Sequence, residues 1–125
     1  MTPENRDLEA LVKRYLSTVT TGTADEVAAL YAEDASVEDP VGGGEVHIGR
    51  PAIAAFYKNT ESADLETELQ HIRVGGHEAA FMFAITVDIA GTKIRIVPIE
   101  VMTFDASGHI TSMKAYWGPA DVTQL

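Results

Sequence analysis

Apolar side chains recur along the first twenty residues at Leu8, Leu11, Val12, Tyr15, Leu16 and Val19. That spacing, i, i+3, i+4, i+7, i+8 and i+11, draws one stripe down a helix. Thr2 suits its cap, Pro3 its first position, and Glu4 and Asp7 its positive end, while Gly22 closes it. Thr23-Ala-Asp-Glu26 then reads as a capping box opening a short second helix, with Val27, Leu30 and Tyr31 on one face. An extended piece, ASVED, runs into Pro40 and the loop VGGGE. A third helix is expected from about Pro51, stacking Ile53, Phe56 and Tyr57 on one side.

From residue 64 the period changes to two. Segments 65–74, 79–90, 92–104 and 109–118 read as strands, separated by turn chemistry at GlyGly 75–76, Ala-Gly-Thr 90–92 and Asp-Ala-Ser-Gly 105–108. Helices followed by an antiparallel meander define an α+β class, with three N-terminal helices packed on one face of a curved, mainly antiparallel sheet. No linker or repeat divides the chain, so residues 1–125 are expected to form a single domain.

Alternation also assigns faces. Phe81, Phe83, Ile85 and Val87 share one side of their strand; Ile94, Ile96, Pro98, Glu100, Met102 and Phe104 share one side of the next; Met113, Ala115 and Trp117 follow in the last. The odd member is Glu100, in IVPIEVM. An ionised carboxylate left unpaired there would cost several kcal/mol or more, so it is expected to be paired or protonated. Pro98 breaks the ladder and is a place to expect a bulge.

Composition narrows the partners. Nine basic against nineteen acidic residues give a net charge of −10. Nucleic acid and anionic membrane surfaces carry the same sign and are excluded as partners; a neutral or apolar one fits. Cysteine is absent, which removes thiol chemistry and disulfides. The start lacks a signal peptide's apolar core, so the expected compartment is the cytoplasm.

Polar groups on apolar faces carry the chemistry. Tyr15, Tyr31 and Tyr57 fall on the apolar stripes of the three helices, facing a sheet that holds a buried acid. Any one of them could be core volume with a satisfied hydroxyl. Together with a protonated carboxyl they form a cluster of O–H donors suited to a developing oxyanion. Asp39, before Pro40, reads locally as a turn former; its functional reading is a carboxylate base at the mouth of a pocket. Glu38 points the other way if the piece is a strand, and Glu33 and Asp34 read as a solvated helix end. The four histidines show no metal-ligand spacing, and no metal is expected.

These residues bring a resemblance into view. KRYL around Tyr15, LYAEDASVEDPVG around Asp39, AAFY around Tyr57, VPIEVMTFD around Glu100 and MKAYWG near the C-terminus are similar to the bacterial Δ5-3-ketosteroid isomerases, nearly end to end. The resemblance implies an NTF2-like cone and a reaction that moves a C5–C6 double bond into conjugation with a C3 ketone. It makes Asp39 the base that carries a proton from C4 to C6. It makes Tyr15 the phenol donating to the C3 oxygen, with Tyr31 and Tyr57 hydrogen-bonded behind it. Glu100 stands where those enzymes place an Asp as second donor, and a carboxylic acid kept neutral in an apolar site is already the established pattern of that enzyme class. Phe56, Phe83, Pro98, Met113, Ala115 and Trp117 fall where that family lines its steroid pocket.

Glu for Asp is a departure. The extra methylene moves the carboxyl by about a bond length, against a hydrogen-bond window of a few tenths of an ångström. Backbone adjustment at Pro98 would absorb it; otherwise Glu100 points slightly away and Tyr15 is the one strong donor. The resemblance further implies no cofactor, a small apolar steroid substrate and a homodimer through the outer face of the sheet. The alternatives are another enzyme on the same fold, such as a dehydratase, cyclase or epoxide hydrolase, or a non-catalytic carrier of small apolar ligands.

Overall fold

The structure, a computed structural model, describes residues 5–43, 45–61 and 63–125. The expected helix-start residues Thr2, Pro3 and Glu4 lie outside them. Helix α1 spans Asn5–Thr21, with Asp7 in its first turn. Its apolar stripe buries Leu8, Val12, Tyr15 and Leu16, with Leu11 and Val19 partly covered. Gly22 ends it by donating its N–H to the Thr18 carbonyl at 2.7 Å. A Cβ at Gly22 would sit 2.8 Å from that oxygen, so a side chain there would have to push the turn open.

The capping box of α2 (Ala24–Ala28) forms as expected. Thr23 Oγ1 accepts from the Glu26 N–H, and Glu26 Oε1 accepts from the Thr23 N–H at 2.8 Å. The helix is shorter than its pattern, however, and Tyr31 is not on it. Leu30 N–H turns back to the Val27 carbonyl, the Ile110 N–H takes the Leu30 carbonyl, and the chain enters strand β1 (Tyr31–Glu38). Tertiary pairing outweighs the local helical period here. Glu33 and Asp34 are therefore exposed strand positions, inside the irregular stretch between Tyr31 and Ser36, rather than a helix end.

After β2 (Val46–Ile48) and α3 (Arg50–Lys58, Pro51 in its first turn) come β3 (Asp64–Gly75), β4 (Glu78–Ile89), β5 (Thr92–Ile96), β6 (Ile99–Phe104), β7 (Ile110–Tyr116) and β8 (Val122–Gln124). They form one eight-stranded sheet in the order β2-β1-β7-β6-β4-β5-β8, with β3 also on β4. Only the β1–β7 pair is parallel among these ladders. The helices cover one face, burying Tyr31, Ile53, Phe81, Met102 and Met113 between the layers. No helix of the described residues is long and apolar enough to cross a membrane.

The expected single strand over 92–104 is two strands. Pro98 has no N–H to give, and the Val97 N–H goes to the Asp121 carbonyl at 3.1 Å. At this point the outer neighbour changes from β8, beside β5, to β7, beside β6. Against β4 nothing slips. Ile85 faces Ile96 before the break, Met82 faces Ile99 after it, and the Phe83 N–H reaches the Pro98 carbonyl between them. The bulge expected at Pro98 is absent; register shifts fall instead at Leu69/His71, Thr103/Phe104 and in β1.

Candidate active site

Glu100 is the buried acid of β6. Pro98, Glu100 and Met102 are all buried, whereas Ile99 between them is 41% exposed, so the alternation runs through the break unchanged. Its Oε1 has no hydrogen-bond partner. Burial raises the Glu100 pKa well above the ordinary carboxylate value, and the charge of Asp39 pushes the same way. The Tyr15 hydroxyl works in the other direction, favouring the charged form, although no hydrogen bond of regular geometry joins the two. Burial is the largest effect, so the site favours the protonated form of Glu100, which has an O–H to donate.

Three phenols stand beside it. Tyr57, from α3, places its hydroxyl 2.8 Å from that of Tyr15 on α1 and 2.7 Å from that of Tyr31 on β1. All three rings are buried, and burial raises each pKa well above 10.0. A hydroxyl has one proton to give and two lone pairs. If Tyr15 donates to a ligand oxygen, Tyr57 donates to Tyr15 and Tyr31 donates to Tyr57, so the chain acquires one sense and each bond polarises the next.

Asp39 follows the last residue of β1, and its peptide bond to Pro40 is cis. The backbone here is tied to β7, since the Val41 N–H donates to the Ala115 carbonyl at 2.8 Å. Trp117, just past β7, donates its indole N–H to Asp39 Oδ1 at 2.6 Å. Burial raises the Asp39 pKa above its ordinary value, with the Trp117 hydrogen bond and His47 pulling it back. Glu38 is elsewhere, its Oε2 accepting from the Gly42 N–H. The two neighbouring carboxylates are not a dyad.

Tyr15, Tyr57, Glu100, Asp39 and Trp117 line one cavity of about 190 Å³, with apolar walls that include Phe56, Phe83 and Pro98. Tyr31 stays behind the wall. Met113 and Ala115, expected in the lining, are fully buried beneath it, and Ala115 faces Glu100 across the β6–β7 ladder. Residues not anticipated are Leu16, Val19, Ile85, Val87 and Ile96, all on faces the periodicity had assigned inward, and Asn59 and Thr60. The last two follow the end of α3, where no periodic signal points anywhere.

The cavity pairs one group able to hold a negative charge and accept a proton with several neutral O–H donors, all in apolar surroundings. Such a site suits proton abstraction next to a carbonyl. Among the described residues, no group of three His, Cys, Asp or Glu side chains could hold a metal ion. The trio Asp105, Ser107 and His109 is a hairpin turn: Asp105 Oδ1 accepts from the Ser107 hydroxyl and from the backbone N–H groups of Ser107 and His109. With no histidine between serine and acid, it lacks the order of a hydrolytic triad.

Comparison with known proteins agrees with this architecture. A SnoaL-like domain pattern matches residues 12–113. A curated steroid Delta-isomerase of Nocardioides simplex is 47% identical over 116 residues, covering 93% of this chain and 94% of that one. The solved structure of SalBIII, an epoxide hydrolase/cyclase-like enzyme with a role in pyran ring formation in the polyether salinomycin, superposes with a TM-score of 0.88 at 28% identity, covering 98% of each chain. RV0760c of Mycobacterium tuberculosis superposes with a TM-score of 0.89 at 19% identity over the whole of both chains, a likeness of fold. With its helices on a curved sheet of NTF2-like form and its match across most of its length, the chain belongs to the SnoaL-like domain family.

Proposed function

We propose that the protein is a steroid Δ-isomerase, converting Δ5- to Δ4-3-ketosteroids without metal or cofactor. The observation that carries the reading is the convergence, in one apolar cavity, of the half-buried carboxyl of Asp39 with the buried Tyr15 phenol and the Glu100 carboxyl, whose burial favours its protonated form. The identity to the Nocardioides simplex isomerase supports it.

A ketone makes the adjacent C–H acidic once its oxygen can take negative charge. Tyr15, backed by Tyr57 and Tyr31, donates to that oxygen as the dienolate forms, and the Glu100 O–H supplies a second hydrogen bond. Asp39 removes the C4 proton and returns it to C6. Desolvation helps twice, raising the proton affinity of Asp39 and strengthening the donors in the dry site. Phe56, Phe83, Pro98 and Trp117 hold the apolar rings.

The likeness to SalBIII keeps one rival in view, because a neutral acid and a carboxylate in one cavity also suit epoxide opening. Rising conjugated-enone absorbance on mixing with 5-androstene-3,17-dione, lost in Asp39→Asn, supports the isomerase. A folded protein that leaves this steroid unchanged overturns it.

The proposal includes a cytoplasmic homodimer. On the outer face of the sheet Tyr116 faces Ile99 across the β6–β7 ladder, and Ile99 faces Met82 across β4–β6. Ile99 and Tyr116 are 41% and 46% exposed, a stripe suited to a second copy.

A further inference from the structure

The cavity has a direction, which can be read from the ladders. Glu100 faces Phe81 across β4, and Ile96 faces Ile85, four residues farther along the same strand. Four residues of strand span about 13 Å. Glu100, Pro98 and Ile96 on one strand line, and Phe83, Ile85 and Val87 on the other, therefore mark successive levels from the acid toward the open end. On α1, Val19 lies one turn beyond Tyr15.

Two contacts fix where Asn59 and Thr60 fall on this axis. Thr20, beside Val19, hydrogen-bonds Thr67 at 3.1 Å, and Thr67 faces Ile85 in the β3–β4 ladder. Glu61, next to Thr60, accepts from the Ala24 N–H at 3.1 Å, just beyond the end of α1. The turn carrying Asn59 and Thr60 thus sits at the C-terminal end of α1, at the level of Ile85 and away from Glu100. Both residues line the cavity there.

They are the polar members of an otherwise apolar far end. The Asn59 carboxamide has no hydrogen-bond partner among the described residues, and the Thr60 hydroxyl makes only a long 3.4 Å contact to the Tyr57 carbonyl. Their capacity is available to a ligand. The far end is also open to solvent in part, with Asn59 exposed and Thr60 partly so, whereas Tyr15 and Glu100 at the acid end are buried.

Resting on the isomerase reading, we infer that Asn59 and Thr60 are specificity-determining residues that read an oxygen substituent on the ring farthest from the reacting ketone, so that the preferred substrates are 3-ketosteroids oxygenated at C17. The four fused rings then lie along the cavity, with the C3 oxygen at Tyr15 and Glu100 and the C17 oxygen at the Asn59–Thr60 rim. A ketone there accepts from the carboxamide N–H or the hydroxyl; a C17 hydroxyl can also donate to the carboxamide oxygen.

The test compares 5-androstene-3,17-dione with 5-androsten-3-one, which lacks the C17 oxygen, in the wild type and in Asn59→Ala, Thr60→Val and the double variant. The wild-type preference for the 17-ketone, as a ratio of kcat/KM values, should fall about three- to tenfold in the double variant, the fall residing in KM. A merely structural role would change both substrates alike, and an unchanged ratio overturns the inference. The same ratio is measured for binding of the two conjugated products through fluorescence of Trp117, the sole tryptophan. That reading does not depend on turnover. Absent turnover with a binding preference that falls in the double variant sinks the isomerase but upholds the rim. Turnover with an unchanged preference does the reverse, and failure to bind either product sinks both.

Discussion

The indole N–H of Trp117 lies 2.6 Å from Asp39 Oδ1, two residues 78 positions apart that meet because the end of β7 is tied to the loop after β1. Burial favours the protonated form of Asp39, and the Trp117 hydrogen bond favours the charged form. The two effects oppose each other at the proposed base, and burial is the larger, so Asp39 is more basic than an exposed carboxylate. In Trp117→Phe the opposing pull is removed and the Asp39 pKa rises further. With Asp39 as the proposed base, the acid limb of kcat/KM should move to higher pH, because only the carboxylate form accepts the proton. A limb that stays in place would show that Asp39 is not the group it reports.

Asp39→Asn keeps an oxygen to accept from Trp117 but cannot take a proton. Turnover should drop by ~10²–10⁴ or more while the unfolding midpoint and product binding stay near wild type. Near-normal turnover would remove Asp39 from the mechanism.

Tyr15→Phe deletes the donor at the end of the phenol chain and should lower kcat by ~10²–10³, with a much smaller effect on product binding. If affinity falls as far as rate, Tyr15 serves binding rather than the transition state.

Tyr57→Phe leaves the hydroxyls of Tyr15 and Tyr31 without their shared partner, and Tyr31 is wholly buried. A loss of about 1–3 kcal/mol in denaturant unfolding is expected. Removing the Tyr31 hydroxyl as well should restore part of it, since a buried orphan costs more than an absent group. Additive losses in Tyr31→Phe/Tyr57→Phe would argue against this coupling.

Glu100 gives a signed dependence of stability on pH. Its folded pKa is raised above the unfolded value, so between the two the native state binds more protons and stability falls as pH rises. Glu100→Gln is neutral at every pH and lacks this loss. The stability of the variant relative to wild type should therefore grow from acid toward neutral pH, until the folded pKa is passed. A pH-independent difference would mean that folding does not shift the Glu100 pKa.

Much of this was legible in the order of residues. Alternation through Phe81–Val87 and Ile94–Phe104 placed Glu100 inward, and the helical stripe placed Tyr15, because both depend only on local period. Tyr31 was misplaced for the same reason: its spacing from Val27 is helical, and only β7, some eighty residues away, makes it a strand. Met113 and Ala115 are inward as expected but lie under the floor of the cavity, a distinction of depth that alternation does not carry. Asn59 and Thr60 follow a helix end, where neither period applies.

Because β4 holds the same register on both sides of Pro98, no inserted residue at the break re-aims the backbone of Glu100 to take up the longer side chain. Whatever the added methylene requires must come from rotation of the side chain or from the helix opposite. Glu100→Asp would accordingly draw the acid back by about one bond length, against a hydrogen-bond window of a few tenths of an ångström. In this chain the reach of the acid is set by its own length, and the strand alongside acts as a fixed ruler.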